Sequence, residues 1–182
     1  MKADDVLKNI QEEAKYTFLP IIGPQKGRVL VDVVKQHKPK NILEVGTLVG
    51  YSAILMSQYL PKSSRITTIE INPQIAEIAA KNFKKAGVEK LIELKIGNAI
   101  GVIPTLINKF DLLFLDAAKE EYLQYLKLAE PKLEKDAIVV ADNVGMFENA
   151  MKDYLDYVRN SPQFKSKTID FGFDAVEVSR KN

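Results

Sequence analysis

Between residues 41 and 142, short apolar runs alternate with stretches of helical spacing, and no other feature restricts the fold as much. The runs are 42–45, 65–71, 91–97, 111–116 and 137–142, and the helical stretches between them are 52–60, 73–86, 100–107 and 119–134. Regular alternation of strand and helix predicts a parallel sheet with right-handed crossovers and helices on both faces. Asn72 before Pro73 is a helix N-cap followed by proline at the first helical position. Gly87 ends that helix where a left-handed residue is wanted.

The flanking segments complete the architecture. Residues 4–16 place Val6, Leu7, Ile10 and Ala14 on one helical face, and 25–38 do the same with Val29, Leu30, Val33 and Val34. After residue 143 a helix over 146–160 is expected, with Phe147, Ala150, Met151, Tyr154, Leu155 and Val158 as its buried stripe. Runs 164–171 and 175–179, joined by Gly172-Phe173-Asp174, predict an antiparallel hairpin at one sheet edge. The expected fold is α/β in three layers, with a mostly parallel seven-stranded sheet and this hairpin at its C-terminal end. The whole chain, 1–182, reads as one domain, with a helical entry over 1–40 and an α/β core over 41–182.

Composition narrows the function classes. At 182 residues and 46% hydrophobic content the chain can bury one core but is short for two domains. Lys plus Arg is 26 against 24 acids, a net charge of +2, which gives no strong general pull toward nucleic acid or anionic membrane. No cysteine is present, which excludes disulfides and thiolate chemistry, and the lone His37 excludes histidine-rich metal sites. No run approaches the ~20 apolar residues of a membrane helix, and the first residues are too charged for a signal peptide. A cytoplasmic location is the default expectation.

Chemistry concentrates at the ends of the predicted strands. In Asn41-Ile-Leu-Glu44-Val-Gly46-Thr-Leu-Val-Gly50-Tyr-Ser52 a strand leads through a glycine turn into a helix, an arrangement that makes room for a nucleotide-like ligand. Glu70 ends the next strand 20 residues beyond Gly50, where a carboxylate can accept both hydroxyl protons of a ribose. The third glycine and the G-x-G spacing of a pyrophosphate site are missing, so a lone adenosine such as that of S-adenosylmethionine fits better than a dinucleotide. Gly97-Asn98-Ala99 follows the third strand and either reads an adenine edge or caps the next helix.

Asp116 and Asp142-Asn143 end the fourth and fifth strands. Two carboxylates and an amide carbonyl there form a hard oxygen set suited to Mg²⁺, Mn²⁺ or Ca²⁺; the alternative is helix capping and a hydrogen-bonded turn. Both Asp142 and Asn143 can ligate only if the strand has already ended. Lys119 is three residues past Asp116 and is either solvated or a general base. As a base its reference pKa of ~10.4 must fall by roughly three units, or about 4 kcal/mol.

With these residues placed, the sequence from about residue 23 to residue 181 resembles the cation-dependent, S-adenosylmethionine-using O-methyltransferases of the catechol O-methyltransferase-like family. The matching blocks are Glu44-Val45-Gly46 with Gly50-Tyr51-Ser52, Ile69-Glu70-Ile71-Asn72-Pro73, Leu115-Asp116 with Lys119, and Ala141-Asp142-Asn143. The resemblance implies a class I methyltransferase (Rossmann-like) fold. It also implies Ile22, Glu44, Gly46 and Ser52 at the methionine end of the cofactor, Glu70 at its ribose, and Ile71, Asn98 and Ala99 at its adenine. Asp116, counted on the cofactor side as well, would join Asp142 and Asn143 in holding Mg²⁺, with Lys119 as base. Asp116, Asn143 and Lys119 are thus the implied catalytic group.

The implied reaction moves a methyl group to one hydroxyl of a small vicinal diol, most often a catechol. The sequence departs from some relatives at Ala99, which lacks a hydroxyl, and over 170–175, which is short where a longer loop carries a substrate-gating acid. Three other readings stay open: a tRNA hydroxyuridine O-methyltransferase of the same family, using Lys35, Lys38, Lys40, Lys84 and Lys85; a non-catalytic S-adenosylmethionine-binding protein; and an NAD-dependent oxidoreductase. A homodimer is left open, and Phe18, Ile21, Ile22, Met146 and Phe147 flank the site as either apolar walls or core.

Overall fold

The structure, a computed structural model, describes residues 2–182. Helices α1 (Ala3–Glu13) and α2 (Gly23–His37) precede β1 (Asn41–Val45), α3 (Tyr51–Ser57), β2 (Arg65–Glu70), α4 (Pro73–Ala86) and β3 (Ile92–Ile96). Next come α5 (Ala99–Thr105), β4 (Phe110–Leu115), α6 (Tyr122–Ala129), β5 (Leu133–Ala141), α7 (Lys152–Asn160), β6 (Phe164–Asp170) and β7 (Ala175–Lys181). Short 3₁₀ turns cover Lys119–Glu121, Glu130–Lys132 and Glu148–Met151. The strands form one seven-stranded sheet in the order β3-β2-β1-β4-β5-β7-β6. Strands β1 to β5 pair in parallel, whereas β7 runs antiparallel to both β5 and β6.

Both faces of the central strands are apolar, so the pleat divides their side chains between two cores. Leu43, Val45, Leu113, Leu115, Val139 and Ala141 meet α5, α6 and α7 through Ile103, Tyr122, Leu126, Tyr154 and Val158. Ile42, Leu112, Phe114, Ile138 and Val140 face the other way, against α1 to α4. The expected caps of α4 are present: Asn72 Oδ1 accepts from the backbone N–H groups of Gln74 and Ile75, and Gly87 sits at φ +72°.

Two helices are shorter than their sequence patterns. Residues 119–134 do not form one helix; α6 stops at Ala129, Pro131 lies in a 3₁₀ turn, and β5 begins at Leu133. Proline lacks the N–H that helix propagation needs, so the chain keeps helical angles as far as Glu130 and then leaves the helix. Over 146–160 the α-helix starts only at Lys152, because the preceding segment is tied to the start of β7. Val144 N–H donates to the Ala175 carbonyl at 3.0 Å, and Met146 N–H to Asp174 Oδ1 at 2.9 Å. Met151, Tyr154, Leu155 and Val158 are buried as the stripe predicts, but Phe147 and Ala150 are exposed.

Among the described residues no helix is long and apolar enough to cross a membrane. Lys38 and Lys40 sit just before β1, and Lys84 and Lys85 end α4 just before β3. These cations therefore belong to the amino-terminal edge of the sheet, opposite the carboxyl edge where the strands deliver Glu70, Asp116 and Asp142.

Candidate functional site

The chain leaves β1 toward β2 and β3 on one side and returns through β4 and β5 on the other. Beside β1 and β4 the connections diverge, and a crevice opens at the carboxyl ends of the strands. It is a cavity of about 800 Å³, toward the upper end of the range for small-molecule sites. Among its lining residues are Gly46, Ser52, Glu70, Ile71, Asn98, Ala99, Asp116, Lys119, Asp142, Asn143 and Ile22. Every residue singled out from the sequence for the cofactor, cation or base role thus lines this one space, except Glu44.

The glycine turn sets one wall. Gly46 has φ +102°, and a Cβ there would lie 2.3 Å from the carbonyl oxygen of Asp116. Only glycine lets β1 turn this close to the end of β4. At Gly50, φ +87°, a Cβ would come within 2.4 Å of the Phe83 ring. The turn offers the Leu48 N–H to Glu70 Oε2 at 2.8 Å, and the Asn72 N–H holds Oε1 at 3.0 Å. Two backbone donors therefore fix the Glu70 carboxylate at the cavity wall. Asn98 caps α5, its Oδ1 accepting from the Ile100 N–H at 2.8 Å, while the residue also lines the cavity.

Glu44 lies beneath that wall and is fully buried. Its Oε1 accepts from Ser52 Oγ and its Oε2 from Thr68 Oγ1, both at 2.5 Å, and Thr68 Oγ1 in turn accepts from Thr47 Oγ1 at 2.6 Å. Burial pushes its carboxyl up to about 7, against the pull of the two hydroxyls. In this structure its oxygens hold the turn rather than face the cavity.

Across the cavity, β4 delivers Asp116, and its adjacent partner β5 delivers Asp142 and Asn143. β5 ends at Ala141, and Asn143 adopts φ +64°, so Asp142 and Asn143 are free of strand alternation. Lys119 Nζ donates to Asp116 Oδ1 at 2.8 Å and to Tyr122 OH at 2.9 Å. Tyr122 is fully buried, and its hydroxyl donates to the Leu115 carbonyl at 3.0 Å. Burial, reinforced by the Asp116 and Asp142 carboxylates, drives the Tyr122 hydroxyl well above its usual range, so it stays protonated. Burial likewise raises Asp116 above the usual carboxylate range, opposed by Lys119 and reinforced by Asp142.

The sequence reading missed Lys26 and Asp174. Lys26 reaches from the second turn of α2 to Asp142, with Nζ 2.7 Å from Oδ1 and donating to Oδ2 at 2.9 Å; it also donates to Asp174 Oδ2 at 2.6 Å. Asp142 Oδ1 is buried and meets that ammonium as an ion pair rather than through a hydrogen bond. Burial would lower the Lys26 pKa, but Asp142 and Asp174 more than offset it and the group stays charged. Burial would raise Asp174, yet Lys26, Met146 N–H and Asn143 hold it down near about 2. A lysine in an amphipathic helix looks solvated in sequence, and its partners lie 116 and 148 residues away.

Apolar groups form the mouth. Phe18, Pro20 and Ile21 come from the α1–α2 connection, Met146 and Phe147 from the segment before α7, while Ile22 lines the cavity from within the core at 5% exposure. Phe18 is 97% exposed, Met146 60% and Phe147 42%, so these are rim residues rather than core. Among the described residues no three His, Cys, Asp or Glu side chains converge as a metal centre; the candidate set has two carboxylates and one amide.

Comparison with known proteins identifies the family. The sequence model of the O-methyltransferase family matches residues 2–161. Catechol O-methyltransferase B of Danio rerio is 40% identical over 152 residues, covering 80% of this chain and 57% of that protein. Catechol O-methyltransferase of Niastella koreensis is 38% identical over 147 residues, covering 78% of this chain and 66% of that protein. The chain thus spans less than two thirds of the length of these curated relatives. Among solved structures, the O-methyltransferase TomG of Streptomyces achromogenes, involved in tomaymycin synthesis and in complex with SAM, superposes with a TM-score of 0.88 at 26% identity, covering 97% of this chain and 89% of that one. Cofactor-bound Rv0187 from MTB gives the same TM-score at 28% identity, again covering 97% and 89%. With the family's sequence model spanning most of the chain and curated members up to 40% identical over most of its length, this protein belongs to the O-methyltransferase family.

Proposed function

We propose that the protein is an S-adenosylmethionine-dependent O-methyltransferase that requires a divalent cation and acts on a small acceptor with vicinal hydroxyls, a catechol or a close analogue. The observation that carries this reading is one cavity with two chemically distinct walls. The Gly46 turn and Glu70 stand on one side, and Asp116, Lys119, Asp142 and Asn143 stand on the other.

The residues fit both groups. The oriented Glu70 carboxylate suits a ribose diol. Asp142 Oδ1 is a buried carboxylate oxygen that accepts no hydrogen bond, its neighbour being the Lys26 ammonium at 2.7 Å. Asn143 commits its amide nitrogen to Asp174 at 2.7 Å, leaving the carbonyl end for another partner. With Asp116 this makes an all-oxygen set, which suits Mg²⁺, Mn²⁺ or Ca²⁺ rather than a soft metal. When bound, the cofactor supplies an electrophilic methyl group, and the cation lowers the pKa of an acceptor hydroxyl.

The chain's own residues do the rest. Glu70 and the turn fix the donor's position, and Asp116 and Asn143 set the acceptor side. Lys119, held as an ammonium by Asp116 and Tyr122 OH, would give a proton to solvent once a cation neutralises Asp116, and the neutral Nζ then takes the acceptor hydroxyl's proton. Holding donor and acceptor in line supplies much of the acceleration, and general-base help adds ~10² to 10⁴. Phe18, Ile21, Met146 and Phe147 provide the apolar surface that a flat aromatic acceptor needs and that excludes water.

The test is transfer of labelled methyl from S-adenosylmethionine to catechol, with and without EDTA. Methylated product that disappears in EDTA and returns with excess Mg²⁺ is expected. Undiminished transfer in chelator overturns the cation requirement, and failure to methylate any vicinal diol overturns the acceptor class.

A further inference from the structure

Lys26 and Asp174 take no part in the mechanism above, yet with Asp142 they form a deeply buried charge cluster. Lys26 is 7% exposed, Asp142 1% and Asp174 3%. Burying an ammonium between two carboxylates contributes little net stability compared with apolar residues of the same volume. A cluster placed beside the candidate cation set therefore calls for a role other than stability.

Its hydrogen bonds are directional. Lys26 Nζ donates to Asp142 Oδ2 and Asp174 Oδ2. Asp174 Oδ2 also accepts from Asn143 Nδ2 at 2.7 Å, and its Oδ1 accepts from Met146 N–H at 2.9 Å. The network engages both oxygens of Asp142, with Lys26 Nζ 2.7 Å from Oδ1 and donating to Oδ2, and the nitrogen end of the Asn143 amide, and it leaves Asn143 Oδ1. A fixed carboxylate and that free carbonyl oxygen are what a hard cation would want from these residues. Charge points the same way: Lys26 alone would cancel Asp142, and Asp174 restores a net negative charge to the group.

We infer that Lys26 and Asp174 are positioning residues for the cation site, a buried clamp that fixes the Asp142 carboxylate and holds the Asn143 amide by its nitrogen so that its carbonyl oxygen is left for a ligand. The inference rests on the cation-dependent reading above. The clamp joins three remote segments, since Lys26 comes from α2, Asp142 from the end of β5, and Asp174 immediately precedes β7. Lys26 is also one helical turn from Ile22, a buried residue of the cavity wall, so the start of α2 is fastened to the cation side of the site.

The experiment is Mn²⁺ titration, read by electron paramagnetic resonance, of wild type, Lys26→Met and Asp174→Asn, with S-adenosylhomocysteine affinity measured in parallel. Partners of metal ligands change affinity by roughly 10- to 100-fold when replaced. The Kd for Mn²⁺ is expected to rise at least ~10-fold in both variants while the S-adenosylhomocysteine Kd stays within about twofold. A merely structural role would lower the melting temperature and leave the Mn²⁺ affinity of the folded protein unchanged, which overturns the inference but spares the cation reading. Absence of Mn²⁺ binding by wild type overturns both. Should Lys26→Met not fold, Asp174→Asn decides alone, because it keeps the side-chain shape and the acceptor for Met146 N–H.

Discussion

The substitution Glu44→Gln tests the electrostatics beneath the glycine turn. Glu44 is fully buried, and burial moves its carboxyl from an ordinary value of 4.5 to about 7. At ~1.36 kcal/mol for each pH unit the difference amounts to about 3 kcal/mol. Between the two values the unfolded chain has already released the proton that the folded chain keeps, so stability falls as pH rises. The contribution is fully present below about pH 4.5 and is lost by the time pH passes about 7; ~2.5 kcal/mol of it disappears between pH 5 and pH 8. The substituted amide cannot ionise, and it can still meet the Ser52 and Thr68 hydroxyls. Urea unfolding of both proteins at several pH values should show the variant gaining on wild type by roughly 2 to 3 kcal/mol from pH 5 to pH 8. Parallel stability curves over that window would refute the reasoning, because they would mean that Glu44 titrates alike in the folded and unfolded chains.

The remaining expectations concern the turn and the two walls of the cavity. Gly46→Ala should lower the melting temperature by at least ~5 °C, since its Cβ would meet backbone rather than a yielding side chain; a melt within a degree of wild type would contradict the close approach. Glu70→Gln should weaken S-adenosylhomocysteine binding about 10- to 100-fold by calorimetry, the loss appropriate to charge-assisted hydrogen bonds; unchanged affinity would remove Glu70 from the ribose. Lys119→Ala should lower kcat by ~10² to 10⁴ with S-adenosylhomocysteine affinity retained, and wild-type turnover would remove it as base.

Much of the fold was legible because the signals that encode it are local. The Asn72-Pro73 start and Gly87 stop of α4 act within one helical turn, and the apolar runs of β1, β4 and β5 are continuous in sequence. The errors had competing local or tertiary causes. Pro131 outweighed the periodicity of 119–134, and bonds to Asp174 and Ala175 held Met146 and Phe147 out of a helix that their spacing favours. Those two residues consequently stand at the cavity mouth instead of in the core.

The sequence by itself determined the alternation of strand and helix, and hence a parallel sheet whose carboxyl edge gathers Gly46, Glu70, Asp116 and Asp142-Asn143. Each of these is marked by its place at the end of an apolar run, which is a one-dimensional property. Tertiary structure alone decided that Glu44 lies under the turn with both oxygens occupied, and that Lys26 and Asp174 close on Asp142. Those outcomes depend on which buried groups meet after the chain has folded; the partners of Glu44 lie 8 and 24 residues away and those of Lys26 116 and 148, and neither pairing leaves a periodic trace in the sequence.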